Sequence, residues 1–223
     1  MGYRIAHVGA FDFENFGDLL FTDVLRAHLE KRIDVEEIIY FAPKTCKMPN
    51  KEEWVHAITE LEKFVREKKV DSIIVGGDLV HLRKIRTYMP HVSENGWVTY
   101  DVLYMWVIPS LVALKYEIPL VWNAPGVPLH FSDTDKEIVS YLCQSVKYIS
   151  VRDEEAKNEL ERAVDENKIH VVPDSVLSIK NIFKKYQLIK IFNNLDIAVE
   201  KKRFIFTQFN ITTTENDFEK QFG

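Results

Sequence analysis

The sequence predicts an α/β domain built on a doubly wound parallel sheet. Three observations carry that prediction. Short apolar runs alternate with longer charged stretches of helical period, and one run, Asp71 to Val75, is apolar enough to be buried on both faces. Glycine, proline and Asx residues also collect where the apolar runs end. In chain order, Tyr3 to Ala10 reads as a first strand and Phe11 to Phe16 as a loop. A helix over Gly17 to Lys31 follows, because Leu20, Val24, Leu25 and Leu29 recur on one face. Val35 to Phe41 reads as the second strand, and Pro43 to Asn50 as a turn-rich loop. Glu52 to Lys68 is expected to be a helix, with Trp54, Ile58, Leu61 and Val65 on one face. Asp71 to Val75 is the third strand, ended by Gly76-Gly77-Asp78.

Arg83 to Gly96 lacks a period and reads as a long surface segment. Asp101 to Tyr116 reads as a mostly buried helix, bent or interrupted near Pro109. Pro119 to Asn123 is the fourth strand, closed by Ala124-Pro125-Gly126-Val127-Pro128. Ser132 to Asp135 offers helix caps for a helix running to Val146. Tyr148 to Val151 is the fifth strand, Asp153 to Val164 a charged helix and Ile169 to Val172 the sixth strand. After Pro173 the pattern changes to a helix over Ile179 to Ile191, a break, and one more strand over Phe204 to Phe209. The expected organisation is a Rossmann-like N-terminal domain over residues 1–178. Residues 179–223 would be a connecting helix and the first strand of an incomplete second domain.

Composition narrows the function classes. The 223 residues carry 29 Lys and Arg against 34 Asp and Glu, a net charge of −5 that argues against a nucleic-acid partner. At 46% hydrophobic and 28% charged the chain can bury a sizeable core. Cys46 and Cys143 are too few for a disulfide framework, and Cys143 reads as core. The start shows no signal-peptide pattern, and the longest apolar stretch, Val102 to Leu114, is too short to span a bilayer. A cytoplasmic protein with no integral membrane segment is the expectation. Seven scattered histidines without CxxC or HExxH spacing leave a metal unsupported, and no GxSxG elbow occurs.

In open α/β sheets, ligands gather beyond the carboxyl ends of the strands. After the first strand, Asn15 and Asp18 flank Gly17 at a helix start. Either they cap the helix, or they face a ligand hydroxyl or anion. After the third strand, Gly76 and Gly77 bring backbone close to a neighbour and Asp78 adds a carboxylate, with His81 three residues on. These glycines serve a turn or a ligand. Asn123 and Gly126 mark a rigid turn after the fourth strand, where Asn123 either reads a sugar or phosphate or satisfies loop backbone. Arg152 ends the fifth strand with a planar fork suited to phosphate or carboxylate, or to a neighbouring acid, and Asp153 stands at the next helix's cap. Pro173-Asp174 follows the sixth.

Taken together, these strand-end segments resemble the polysaccharide pyruvyl transferase family. The matching pieces are Gly9 to Asp12 through Asn15 to Asp18, Ile74 to Asp78, Asn123 to Val127, Ile149 to Asp153, and Val172 to Asp174. They cover residues 3 to 178, and Phe204 to Asn210 looks like the opening strand of the family's second domain. The resemblance implies one half of a GT-B-like architecture. It also implies an enzyme that moves the pyruvyl group of phosphoenolpyruvate onto two sugar hydroxyls of a cell-surface glycan or exopolysaccharide, forming a ketal. Arg152 would then grip the donor's phosphate or carboxylate, and Asp78 would be a catalytic carboxylate at the donor or acceptor site. Asn15, Asp18, Gly76, Gly77, Asn123 and Gly126 would line the substrate cleft. The donor is a substrate, so no cofactor is expected. The acceptor would be a glycan or lipid-linked sugar, which leaves room for peripheral association with membrane assembly machinery.

The family's Arg-Leu-His type motif, whose histidine is held to be its acid–base group, has no counterpart in these 223 residues. An N-terminal portion of a longer enzyme is therefore expected, in preference to a short homologue without activity. Two alternatives stay open: a non-catalytic module binding a glycan or phosphorylated ligand, and a GT-B glycosyltransferase using a nucleotide-sugar donor.

Overall fold

The computed structural model describes residues 2–76, 102–127 and 130–190, apart from 185, 187 and 188. Eight strands are described: β1 (Tyr3–Val8), β2 (Val35–Ala42), β3 (Cys46–Lys47), β4 (Trp54–Ala57), β5 (Ser72–Gly76), β6 (Leu120–Asn123), β7 (Val146–Val151) and β8 (Ile169–Val171). They form one sheet in the order β3-β4-β2-β1-β5-β6-β7-β8. Every described pairing is parallel except the short edge pair β3 and β4. The helices are α1 (Phe16–Leu29), α2 (Leu61–Arg66), α3 (Val102–Tyr116), α4 (Asp133–Leu142) and α5 (Glu154–Leu160), followed by a 3-10 helix at Ser175–Asn181. This is an open Rossmann-like α/β fold, the form expected of a GT-B-like N-terminal domain.

Alternation along the central strands assigns their two faces. Ala6 and Val8, Ile73 and Val75, Leu120 and Trp122, and Ile149 and Val151 point into the larger core with residues of α2, α3, α4 and α5. Ile5 and Ile74 point the other way, onto Leu25 of α1. Farther along that face, Phe11, Leu19, Phe21 and Tyr40 form a second cluster. The 3-10 helix at Ser175–Asn181 lies beside α1, joined to it by His28 Nε2 and Ser178 Oγ at 2.8 Å.

The antiparallel edge pair β3–β4 makes the sheet mixed within the expected fold class. Three readings need correction. Residues 54–57 are a strand within the expected Glu52 to Lys68 helix. Val55 is fully buried, paired with Tyr40 on one side and Cys46 on the other, while Trp54 faces outward. The spacing of Trp54 with Ile58 therefore matches a helix by coincidence, and only residues 61–66 make the α-helix, after a 3-10 turn at Ile58–Glu60. Pro109 does not interrupt α3, which runs through it. A mid-helix proline costs about 3 kcal/mol, but Met105, Trp106, Val112 and Ala113 are all buried and hold the helix to the sheet. Buried Ser110 donates its hydroxyl to Trp106 O at 2.7 Å. Finally, the first residues of the helix expected over Ile179 to Ile191 belong to the 3-10 helix at Ser175–Asn181, which Asp174 caps. The strand expected at Phe204 to Phe209, and Arg83 to Gly96, lie outside the described residues.

Candidate functional site

The sheet order reverses between β1 and β5, because the chain runs from β1 outward to β2 and later returns to β1's other side. The carboxyl ends of the strands at such a reversal form a crevice. Gly9 and Gly76 meet there: a Cβ on Gly9 would stand 2.8 Å from Gly76 O. Gly76 in turn packs on Asn123, whose backbone oxygen would be 3.2 Å from a Cβ at Gly76. Gly76 is thus a close-packing residue that lets β1, β5 and β6 end together. Gly77, Asp78 and His81 lie outside the described residues.

α1 begins at this edge. Asn15 is its N-cap, with its side-chain oxygen accepting from Gly17 N–H at 3.0 Å. Asp18 sits in the first turn and hydrogen-bonds the Asn15 side chain. Burial pushes the Asp18 carboxyl up to about 7; Arg152 opposes that rise, while the charge of Asp174 adds to it. Three residues far apart in sequence, at the start of α1, after β7 and after β8, therefore share one electrostatic neighbourhood. Of the expected residues, Asn15, Asp18 and Arg152 are brought together, and Asp174 joins them.

Arg152 leaves the end of β7 with its side chain 41% exposed and its Nε 3.6 Å from Asp153 Oδ2. Asp153 also caps α5 by accepting from Ala156 N–H at 2.7 Å, so that carboxylate is shared. Gly126 lies directly against the Arg152 guanidinium. Asn123 and Asp174 stand on the wall of a cavity of about 470 Å³ between α1 and the Ser175–Asn181 helix. Val24, Leu25 and Leu177 supply its apolar part, and His28 and Ser178 polar groups.

The sequence reading places Asp174 only within a matching strand-end segment, because nothing in sequence puts it near Asp18, and it assigns no role to Ser150 or His7. Ser150 is fully buried, its hydroxyl donating to Trp122 O and accepting from Ala124 N–H, both at 3.0 Å. His7, inside an apolar strand, is buried with neither ring nitrogen hydrogen-bonded, and its ring lies 4.7 Å from that of Phe11. For the last two a polar residue within an apolar strand was the available signal. Cys143 is core, as expected, and burial pushes its thiol up to about 12. Among the described residues no group of three or more His, Cys, Asp or Glu could hold a metal ion, and no helix is long and apolar enough to cross a membrane.

Solved structures similar to this chain match it at low identity. A UDP-GlcNAc 2-epimerase from Methanocaldococcus jannaschii is 21% identical with a TM-score of 0.46, over 87% of this chain and 53% of that one. The chain thus spans about half the length of that epimerase. RSP, a Rex-family repressor, is 11% identical with a TM-score of 0.32, over 85% of this chain and 63% of its own. An AraC family transcriptional regulator from Pseudomonas putida is 12% identical with a TM-score of 0.34, over 86% and 99%. No curated protein matches the chain. A family model does: that of polysaccharide pyruvyl transferase matches residues 15–219, from the cap of α1 past the last described residue. With strand-end segments in the order that resemblance requires and a match over most of its length, the chain belongs to the polysaccharide pyruvyl transferase family.

Proposed function

We propose that this chain forms the donor-holding part of an enzyme that transfers the pyruvyl group of phosphoenolpyruvate to two hydroxyls of a glycan or lipid-linked sugar. The observation that carries the reading is Arg152, a partly exposed guanidinium at the strand-end crevice of a family member, beside the N-terminus of α1. In the reaction a proton adds to the methylene carbon of the donor. A sugar hydroxyl, losing its own proton, adds to the neighbouring carbon. The bond to phosphate oxygen then breaks, the electron pair leaves with phosphate, and the second hydroxyl closes the ketal. Arg152 would stabilise the charge that gathers on the phosphate as it leaves. Asn15 would orient a donor or sugar oxygen, and Asp78, which follows β5 in sequence, would add a carboxylate. The cavity beside Asn123 and Asp174 offers room and polar groups for a sugar ring.

The chain's span against its relatives leaves the whole enzyme's activity to experiment. Phosphate release would be followed with phosphoenolpyruvate and candidate sugars, and binding of phosphoenolpyruvate would be compared with that of UDP-sugars. The expected outcome is that phosphoenolpyruvate binds and that Arg152→Ala weakens it more than tenfold, the loss of a charge-assisted pair. Binding of UDP-sugars with no response to phosphoenolpyruvate would establish the glycosyltransferase alternative. A sugar bound without donor binding or turnover would mark a glycan-binding module. Turnover by the 223 residues alone would show that no further acid–base group is required.

A further inference from the structure

An arginine on a partly exposed stem samples many orientations, and a fork that must meet an anion edge-on works best when its plane is already held. Gly126 holds that plane. A Cβ built there would lie 2.6 Å from Nη2, 2.8 Å from Cζ and 3.0 Å from Nε of Arg152. The central carbon is nearer than Nε, whereas an approach in the guanidinium plane would leave it farther than both nitrogens, so the flat face, not the edge, rests on the glycine. The Gly126 backbone is not in the left-handed region, so chain conformation does not demand glycine there. The guanidinium is what occupies the missing side chain's space.

The turn beneath is itself held. Ala124 adopts a left-handed conformation, with φ of 55°, two residues before Gly126. The buried Ser150 hydroxyl spans that turn, accepting from Ala124 N–H and donating to Trp122 O. Ser150 precedes Arg152 by two residues on β7. The strand that projects the arginine therefore also fixes the turn on which its guanidinium lies.

We propose that Gly126 and Ser150 are positioning residues: together they seat the Arg152 guanidinium flat on the β6 exit turn, leaving its N–H groups to present to an anion. What the fork grips rests on the donor reading above; how the fork is held does not.

The test uses the full 223-residue chain, ¹⁵N-labelled, with the Arg152 Nε–Hε signal assigned by its loss in Arg152→Lys. A Cβ at Gly126 meets the far end of a flexible side chain, so Gly126→Ala should fold with an unchanged Tm while displacing the guanidinium. The expected result is a moved Arg152 signal and phosphoenolpyruvate binding weakened about tenfold, with no further loss when Gly126→Ala is added to Arg152→Ala. Ser150→Ala should move the same signal. An Arg152 signal unmoved by Gly126→Ala, or an equal loss of affinity from Gly126→Ala in the Arg152→Ala background, would overturn the proposal. Should Gly126→Ala move the signal in a chain that binds no phosphoenolpyruvate, the seat stands and the donor reading falls.

Discussion

His7 and Asp18 are the two side chains whose protonation the fold changes most informatively, and they act on stability in opposite directions. Burial, with a contribution from the charge of Lys51, lowers His7 from 6.5 to about 3. Between those values the unfolded chain binds a proton that the native chain does not, so stability falls on acidification by about 1.4 kcal/mol per pH unit. Asp18 is raised from 3.8 to about 7, so over that range the native chain holds a proton that the unfolded chain has released. That contribution is complete at low pH and is lost as the pH rises towards 7. The two terms largely offset one another between pH 6.5 and 5. Replacing either should expose the other: His7→Leu should become more stable on acidification from pH 6.5 to 5, and Asp18→Asn less stable, read from urea midpoints. Parallel slopes in both variants and the parent chain would refute the assignment. Asp18 should also govern ligand affinity, because its carboxylate repels an anion held by Arg152. Phosphoenolpyruvate binding should strengthen as pH falls from 8 to 6, and Asp18→Asn should flatten that dependence, as measured by calorimetry.

Elements, in turn, are held in place by single polar groups. Glu159 of α5, 6% exposed, accepts from Phe131 N–H at 2.5 Å, from His130 Nδ1 at 2.6 Å and from Arg162 Nη1 at 2.7 Å. Burial works against its charge, but the bonds from His130, Phe131 and Arg162 outweigh it and lower its pKa. The carboxylate therefore ties the segment leading into α4 to α5, the helix whose cap neighbours Arg152. Glu159→Ala should cost about 1–3 kcal/mol in chemical denaturation, since it leaves the buried Phe131 N–H without an acceptor. Glu159→Gln keeps one acceptor oxygen and should cost less. Equal losses would mean that packing, not hydrogen bonding, holds the junction. The β3–β4 pair shows why some elements escape a sequence reading. Trp54, Ile58, Leu61 and Val65 satisfy helical spacing, but Val55 is buried through partners that are distant in sequence. Where the apolar pattern is short, such pairing decides between strand and helix.

At the scale of the whole molecule, the sheet order brings the ends of β1, β5, β6, β7 and β8 to one edge, and a ligand bridging them should stabilise the entire fold. Phosphoenolpyruvate at a hundred times its Kd adds about 2.7 kcal/mol, which for a chain of this size corresponds to a rise in Tm of about 5–10 °C. Thermal unfolding with phosphoenolpyruvate, inorganic phosphate and UDP-sugars measures this directly. An unmoved Tm at every phosphoenolpyruvate concentration would remove the donor assignment. Arg152→Ala should cut the shift by about half or more while leaving the unliganded Tm in place, because its side chain is partly exposed.

The sequence by itself determined the α/β class, the order of the described elements other than β3 and β4, the cap at Asp153, and the family. Hydrophobic period, capping and turn chemistry are local, and parallel strands necessarily present their exit loops at one edge. Only the tertiary structure decided that Asp18, Arg152 and Asp174 share a neighbourhood and that Gly126 underlies the guanidinium. It also decided that Gly76 is a packing contact between strands and that His7 is buried without a hydrogen-bond partner. Those facts depend on distance and desolvation between residues that pairing order alone brings together, and desolvation is what sets the charge on Asp18.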